Sequence, residues 1–520
     1  MKKIIPILLC LGWLNQVELA AQCLDRVGYE QDIKKAEAYI KTQEFTLAFN
    51  KYMTAKAKCP DQSKQVTLFL GNLFVKIKQF QKQTTKKVET KSQVEIKQQL
   101  HFHSIKLALD FKNNQFYFFD EEGHEVKKLG RWQKAEQFDG RTELAQVNNG
   151  TYNFLLDTLG KRYRIAYNLE ELNEHVIALD LRKQDIDSIP AKVFQYPGLK
   201  ILFLPPSLKF LNSEIAKLKN LKRLFLGSAK LTTLPTSIGK LKNLQELSLY
   251  NCSNLTTLPA SIGQLKKLQK LDLSFCSKLS ALPVSIGKLK NLQGLSLYDC
   301  KKLTTLPVNI GELKKLQKLD LSGCSKLTTL PVSIGQLKNL KRLHLSNCRN
   351  LSTLPASIGQ LKSLQKLDLN STKLATIPTS IGELKNLQEL NLYYCSNLTT
   401  LPVNIGQIKN LQKLNLRNCS NLTTLPVSIG QLKNLNRLHL SNCNNLTTLP
   451  ASIGQLENLK ILSLNNAKLA TLPTSIGQLK NLQKLDLTNC NDLTTLPTSI
   501  GQLKTDLSQS DYFENTNNIL

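Results

Sequence analysis

Residues 316–337 read Leu316-Gln-Lys-Leu-Asp-Leu-Ser-Gly-Cys324, then Ser-Lys-Leu-Thr-Thr-Leu-Pro-Val-Ser-Ile-Gly-Gln-Leu337. The same phrase returns at Leu268–Cys276 and Leu411–Cys419, each time leading into Leu-x-x-Leu-Pro-x-x-Ile-Gly-x-Leu. The Leu-x-Leu core begins at Leu179, Leu202, Leu224, Leu247, Leu271, Leu295, Leu319, Leu343, Leu367, Leu390, Leu414, Leu438, Leu462 and Leu485, fourteen copies spaced by 22 to 24 residues. In such a core the two leucines point to one side of a strand and the intervening residue to the other. One repeat cannot bury its leucines alone, so neighbours must stack. Parallel strands about 4.8 Å apart then give an arc of roughly 60 Å. Pro235, Pro259, Pro283 and their equivalents end strand pairing, because proline has no N–H to donate. The glycine of each Ile-Gly pair, as at Gly239, marks a close packing point with no room for a side chain.

These residues resemble the leucine-rich repeat family. The 24-residue form with Cys-x-x-Leu-x-x-Leu-Pro is most similar to repeats of plant disease-resistance proteins and related bacterial proteins. The resemblance covers residues 172–503 and implies an α/β solenoid: a curved parallel sheet of about fourteen strands inside, with loops and short helical turns outside. It also implies that Cys252, Cys276, Cys300, Cys324, Cys348, Cys395, Cys419, Cys443 and Cys490 form a structural ladder packed inward, with Ala229, Thr372 and Ala467 in the shorter repeats. A metal or disulfide reading competes with this ladder and explains the period less well, since parallel side chains are poorly aimed for a bridge.

Four further segments complete the organisation. Residues 1–21 have a basic start, an apolar run Ile4–Leu14 and small residues at Leu19-Ala20-Ala21, the layout of a secretory signal and too short to span a bilayer. Export is therefore expected, to a periplasmic, cell-surface or extracellular location, with a Cys23–Cys59 disulfide as one expectation there. Residues 22–99 read as helical; Phe45, Ala48, Tyr52, Ala55 and Pro60 resemble the second helix of a tetratricopeptide repeat. Residues 100–171 turn β-rich: Phe116–Gly123 and Tyr152–Gly160 are aromatic strands ending in Asp-x-x-Gly turns, and with Trp132 and Phe138 they resemble the bacterial WG-type β repeat. Residues 504–520 are a polar tail.

Composition and motifs narrow the function. Aromatics are only 6%, so the core must be aliphatic. Phosphate-binding loops of the form G-x-x-x-x-G-K-[ST], H-E-x-x-H and G-x-S-x-G are all absent, no cofactor motif or metal set emerges, and the expectation is a binding protein rather than an enzyme. The candidate ligand residues lie on outward strand positions. Tyr250, Phe275 and Tyr298 come from three successive repeats, and Tyr393 and Tyr394 form a second group. Arg342, His344 and Lys366 make a polar saddle between them. Exposed aromatics bury much area at small entropic cost, which suits protein or glycan recognition. Asp320 and Asp368 flank His344 on adjacent strands and are expected to raise its pKa, with Lys318 and Lys366 placed to pair with those aspartates. The net charge of +30 owes much to one ladder: Lys242, Lys266, Lys290, Lys314, Lys338, Lys362, Lys385, Lys409, Lys433, Lys480 and Lys504, broken by Glu457. This convex ridge supports an alternative function, adsorption to an anionic surface polymer. A third reading, an intracellular signalling scaffold, applies if residues 1–21 are not a signal.

Overall fold

The computed structural model describes residues 107–112, 115–120 and 124–503. The expected signal, helical region, Cys23–Cys59 pair and polar tail lie outside the described residues. A small antiparallel sheet opens the described chain, with β1 (Ala108–Lys112), β2 (Gln115–Phe119) and β3 (Arg131–Trp132) in that order. Next comes an antiparallel ribbon of β4 (Lys134–Ala135), β5 (Leu144–Asn148), β6 (Asn153–Asp157) and β7 (Arg162–Ala166). Its turns follow from side-chain chemistry. The Asp157 carboxylate accepts from the N–H groups of Leu159 and Lys161 at 3.0 and 2.8 Å, and Gly160 takes a φ of +90°.

The ribbon does not end there. β7 pairs in parallel with β8 (Ala178–Asp180), so the β-rich stretch runs without a break into the repeats. Thirteen more parallel strands follow: β9 (Ile201–Phe203), β10 (Arg223–Phe225), β11 (Glu246–Ser248), β12 (Lys270–Asp272), β13 (Gly294–Ser296), β14 (Lys318–Asp320), β15 (Arg342–His344), β16 (Lys366–Asp368), β17 (Glu389–Asn391), β18 (Lys413–Asn415), β19 (Arg437–His439), β20 (Ile461–Ser463) and β21 (Lys484–Asp486). Each pairs only with its sequence neighbours and leucine sits opposite leucine throughout, as in Leu295↔Leu319↔Leu343. The result is the expected fourteen-strand solenoid, an open sheet from β4 to β21. No α-helix occurs among the described residues. The outer side consists of five-residue 3₁₀ turns such as Val332–Gln336, from Thr236 onward entered from a proline whose carbonyl accepts the isoleucine N–H, as in Ile334 to Pro331 at 2.9 Å; Asn212 takes the proline's place before Ser213–Lys217.

One aliphatic core runs continuously from Ala166 to Leu503. Four ladders weld successive repeats across it. The thiol of each repeat-position cysteine donates to a leucine carbonyl of the repeat before, for example Cys324 to Leu297 and Cys348 to Leu321, both at 3.2 Å. All nine are fully buried free thiols, and burial pushes every one upward in pKa. Thr372 in a shorter repeat places a hydroxyl there instead, donating to the Leu369 carbonyl of its own repeat at 2.8 Å and meeting the Cys395 thiol of the next at 3.4 Å. Asparagine amides cap the neighbouring turn, as Asn339 does the Lys314 carbonyl at 2.7 Å. At Gly239 an added Cβ would fall 2.5 Å from the Ser261 carbonyl oxygen, which is why the turns can stack only with glycine there.

The lysine ridge is the fourth ladder. Lys338 donates to the Gln360 carbonyl at 3.2 Å, Lys433 to that of Gln455 at 2.9 Å, and Lys290 and Lys362 reach Glu312 and Glu383 at 2.6 and 3.0 Å. Lys338 and Lys433 therefore sit at the carbonyl end of the next repeat's turn, where a cation is favoured.

Candidate functional site

With Leu316 as position 1 of a repeat and Cys324 as position 9, side chains at positions 3, 5 and 7 face the concave side, and position 8 has left-handed backbone. Twelve consecutive repeats carry that positive φ: Ser228, Asn251, Phe275, Asp299, Gly323, Asn347, Ser371, Tyr394, Asn418, Asn442, Asn466 and Asn489, between +55° and +76°. Glycine, asparagine, aspartate and serine suit this conformation by short side chains or local hydrogen bonding, whereas a bulky ring pays a steric penalty. Phe275 (+61°) and Tyr394 (+58°) are the two exceptions.

Both exceptions belong to aromatic groups. Tyr250 and Tyr298 occupy position 7 of their repeats, and the left-handed turn brings the Phe275 ring between them. Its centroid lies 5.3 Å from Tyr250 and 5.0 Å from Tyr298, both edge-to-face. Tyr393 and Tyr394 form the second group, 6.1 Å apart. Tyr298 is 42% exposed and Tyr394 55%. Tyr298 at the end of β13 and Tyr393–Tyr394 at the end of β17 are four strands apart, about 19 Å at about 4.8 Å per strand.

The N-terminal end of the concave face is not open. Outward residues Ala178, Ile201, Phe203 and Phe225 are apolar and pack with Leu144, Leu155, Tyr163 and Ile165 of the front ribbon. The turn between β4 and β5 extends this cover. Asp139 accepts from the N–H groups of Arg141 and Thr142 at 2.8 Å, fixing a tight turn that projects three contacts onto the inner wall. The Arg141 guanidinium stacks 3.7 Å from the Tyr250 ring centroid and donates to its hydroxyl at 3.0 Å. Glu143 pairs with Lys270 at 2.7 Å, and the Thr142 carbonyl accepts from Arg223 at 3.1 Å. Tyr250 is therefore an occupied ring, a correction to its place among the ligand candidates. Beneath this turn Glu246 is buried 3.5 Å from Arg223, and burial raises its pKa to about 7 against the pull of Arg223 and Lys270.

The polar saddle also differs from expectation. His344 is 6% exposed, so it lies within the sheet surface and offers no ligand contact. Its pKa is lowered, not raised: burial outweighs Asp320. Lys318 does face Asp320, at 4.0 Å, but Lys366 turns to Glu389 of the next strand at 2.9 Å instead of Asp368. Glu389 also takes Lys413 at 2.9 Å; burial pulls its pKa up, and the two lysines together bring it below the ordinary range. Arg342 is half-buried beside Lys318 and Lys366. The Lys366–Glu389–Lys413 set ties β16, β17 and β18 together, whereas Arg342 stands opposite two like charges. Among the described residues no group of acidic, histidine and cysteine side chains is arranged to hold a metal, and no helix is long and apolar enough to cross a membrane.

Arg141, Glu143, Arg417 and His439 were not singled out from sequence. The signal for the first two was present: apolar residues at outward positions of the first strands, Ile201, Phe203 and Phe225, call for a cover. Arg417 and His439 form a pair at 3.1 Å, with His439 lowered to about 4 by burial, then by Arg417 and Arg437.

The family described as Leucine-rich repeat region matches residues 211–305, 299–397 and 345–420, and that described as Leucine Rich Repeat matches 410–432, 434–456 and 481–503. A leucine-rich repeat protein of Leptospira interrogans is 38% identical over 66% of this chain and 99% of its own, with a TM-score of 0.42. A plant peptide hormone receptor, solved in complex with its hormone, is 26% identical over 66% and 69%, TM-score 0.32. An internalin of Listeria monocytogenes is 19% identical over 67% and 90%, TM-score 0.43. No curated protein matches the sequence. Stacked leucine rungs, the family matches and the Leptospira relative agree: the chain belongs to the leucine-rich repeat family.

Proposed function

We propose that this protein is a non-catalytic receptor that grips an extended segment of a partner protein along its concave face, between the Tyr298 and Tyr393–Tyr394 edges. One observation carries the reading. In a position where the other repeats use residues suited to left-handed backbone, two repeats place a bulky aromatic, and each completes a ring cluster with exposed surface. Strain of this kind persists where the ring does something the fold itself does not require. The span fits a peptide: about 19 Å corresponds to about six residues at about 3.3 Å each.

The lysine ridge supports the alternative less well, because several of its ammonium groups are directed onto the next repeat's carbonyls or carboxylates. Export rests on residues 1–21 and is tested by sequencing the N-terminus of the mature protein; a start at Met1 would overturn it. The binding reading is tested by selecting a displayed random dodecapeptide library on the full chain. Binders should be lost with Tyr393→Ala/Tyr394→Ala and retained with Lys290→Ala/Lys338→Ala. The reverse dependence would establish the ridge as the binding surface and refute the concave reading.

A further inference from the structure

The aromatic row Tyr250–Phe275–Tyr298 already has one occupant, and the occupant is informative. Arg141 lies over the Tyr250 ring, 3.7 Å from its centroid, and hydrogen-bonds its hydroxyl at 3.0 Å, so the chain's own guanidinium closes one end of the row. The rings continue edge-to-face from there to Tyr298, whose surface is open. Building on the proposed receptor role, we infer that the open end of this row is an arginine-recognition site: the partner segment lays a guanidinium on Tyr298, repeating the contact that Arg141 makes on Tyr250.

The surrounding charges favour such a guest. Asp272 and Asp320 stand on either side of Ser296, two residues before Tyr298, and Asp299 follows it directly. Asp272 is held by the Ser274 N–H and hydroxyl at 3.0 and 2.6 Å, and it makes no ion pair among the described residues. Of the nearby lysines, Lys270 is taken up by Glu143 at 2.7 Å, Lys318 by Asp320 at 4.0 Å and Lys301 by Asp299 at 3.3 Å, so Asp272 is the carboxylate left to a guest. The turn that supplies Arg141 thus also neutralises one of the lysines that would repel a second guanidinium. Overall positive charge does not forbid this, because exposed charges beyond about 8 Å are largely screened at physiological salt. Arginine is favoured over lysine because its planar group stacks on a ring while its edges remain available to carboxylates.

The row is not simply a misplaced piece of core. Phe275 sits in left-handed backbone and Tyr298 is 42% exposed, whereas the buried pair Phe203–Phe225 stacks face to face under the front ribbon. The covered rings serve packing, and the uncovered ones lie where the internal arginine stops.

The experiment uses dodecapeptides selected from a random displayed library on the full chain, resynthesised with arginine or with the isosteric neutral citrulline. Arginine should be enriched among binders, and citrulline should weaken binding about tenfold. Tyr298→Leu should remove the difference between the two peptides, while Tyr298→Phe, which keeps the ring, should preserve it. Arg141→Ala vacates Tyr250 and should tighten arginine peptides about threefold. Binders that require Tyr393 and Tyr394 but show no arginine preference would overturn this inference and leave the receptor role standing. A library yielding no binder dependent on the concave face would overturn both.

Discussion

Replacing Tyr394 by asparagine should stabilise the fold, and replacing Phe275 by asparagine should not. At both positions φ is near +60°, where an ordinary L-residue carries a penalty of about 1–2 kcal/mol that asparagine relieves in part. Tyr394 has little to set against that gain. It is 55% exposed, and its ring contact is a tilted one to Tyr393 at 6.1 Å, of about 0.5 kcal/mol. An asparagine there would also extend an existing amide ladder, in which Asn466 donates to Asn442 at 2.8 Å and Asn442 to Asn418 at 2.6 Å. The net expectation for Tyr394→Asn is a stabilisation of about 1 kcal/mol. Phe275 is half-buried and makes two edge-to-face contacts, together of about 1–3 kcal/mol, so Phe275→Asn should destabilise by about 1 kcal/mol. Solenoids can unfold in segments, so urea unfolding by circular dichroism should be paired with hydrogen exchange at the two strands concerned. A loss of stability in Tyr394→Asn greater than about 1 kcal/mol would refute the strain argument and remove the main support for the binding site.

Other expectations follow from the same geometry. Glu246 has its pKa raised to about 7 in the fold against 4.5 ordinarily, so the native state binds more protons between those values and its stability falls as pH rises through that window. The change is on the order of 3 kcal/mol, and Glu246→Gln should flatten it in unfolding measured from pH 4 to 8; an unchanged slope would show that Glu246 is not responsible. Gly239→Ala should cost about 2 kcal/mol or more because the new methyl meets the Ser261 carbonyl, whereas Gly294→Ala enters open space and should be neutral in the same assay. Equal effects would contradict the packing described. The nine ladder thiols should resist a thiol reagent in the native chain and react on denaturation; fast native labelling of Cys324 or Cys348 would contradict their burial.

The repeating parts of this molecule were legible from sequence because a period averages over local accidents. Leucine rungs, 3₁₀ turns and the glycine contact are set by the same residues many times, so one reading covers all of them. The functional surface was only half legible. Tyr250, Phe275 and Tyr298 were recognisable as neighbours, but Phe275 lies one position later in its repeat, and only the left-handed backbone at +61° swings its ring into the row. His344 was misread because strand neighbours of either charge matter less than the burial they create. The cover over the first strands joins residues far apart in sequence, Arg141 with Tyr250 and Thr142 with Arg223, and no local pattern encodes such pairs. Along the lysine ridge, spacing reveals a row of charges and not the carbonyls that Lys338 and Lys433 face.

Hydrogen exchange on the full chain, with and without a selected dodecapeptide, puts the claim of a working inner wall to its sharpest trial. The account predicts that bound peptide slows exchange along β13 to β17 and at Tyr393–Tyr394, leaving turns such as Val332–Gln336 on the opposite side unaffected. Protection confined to those outer turns, with the strands unchanged, would contradict it.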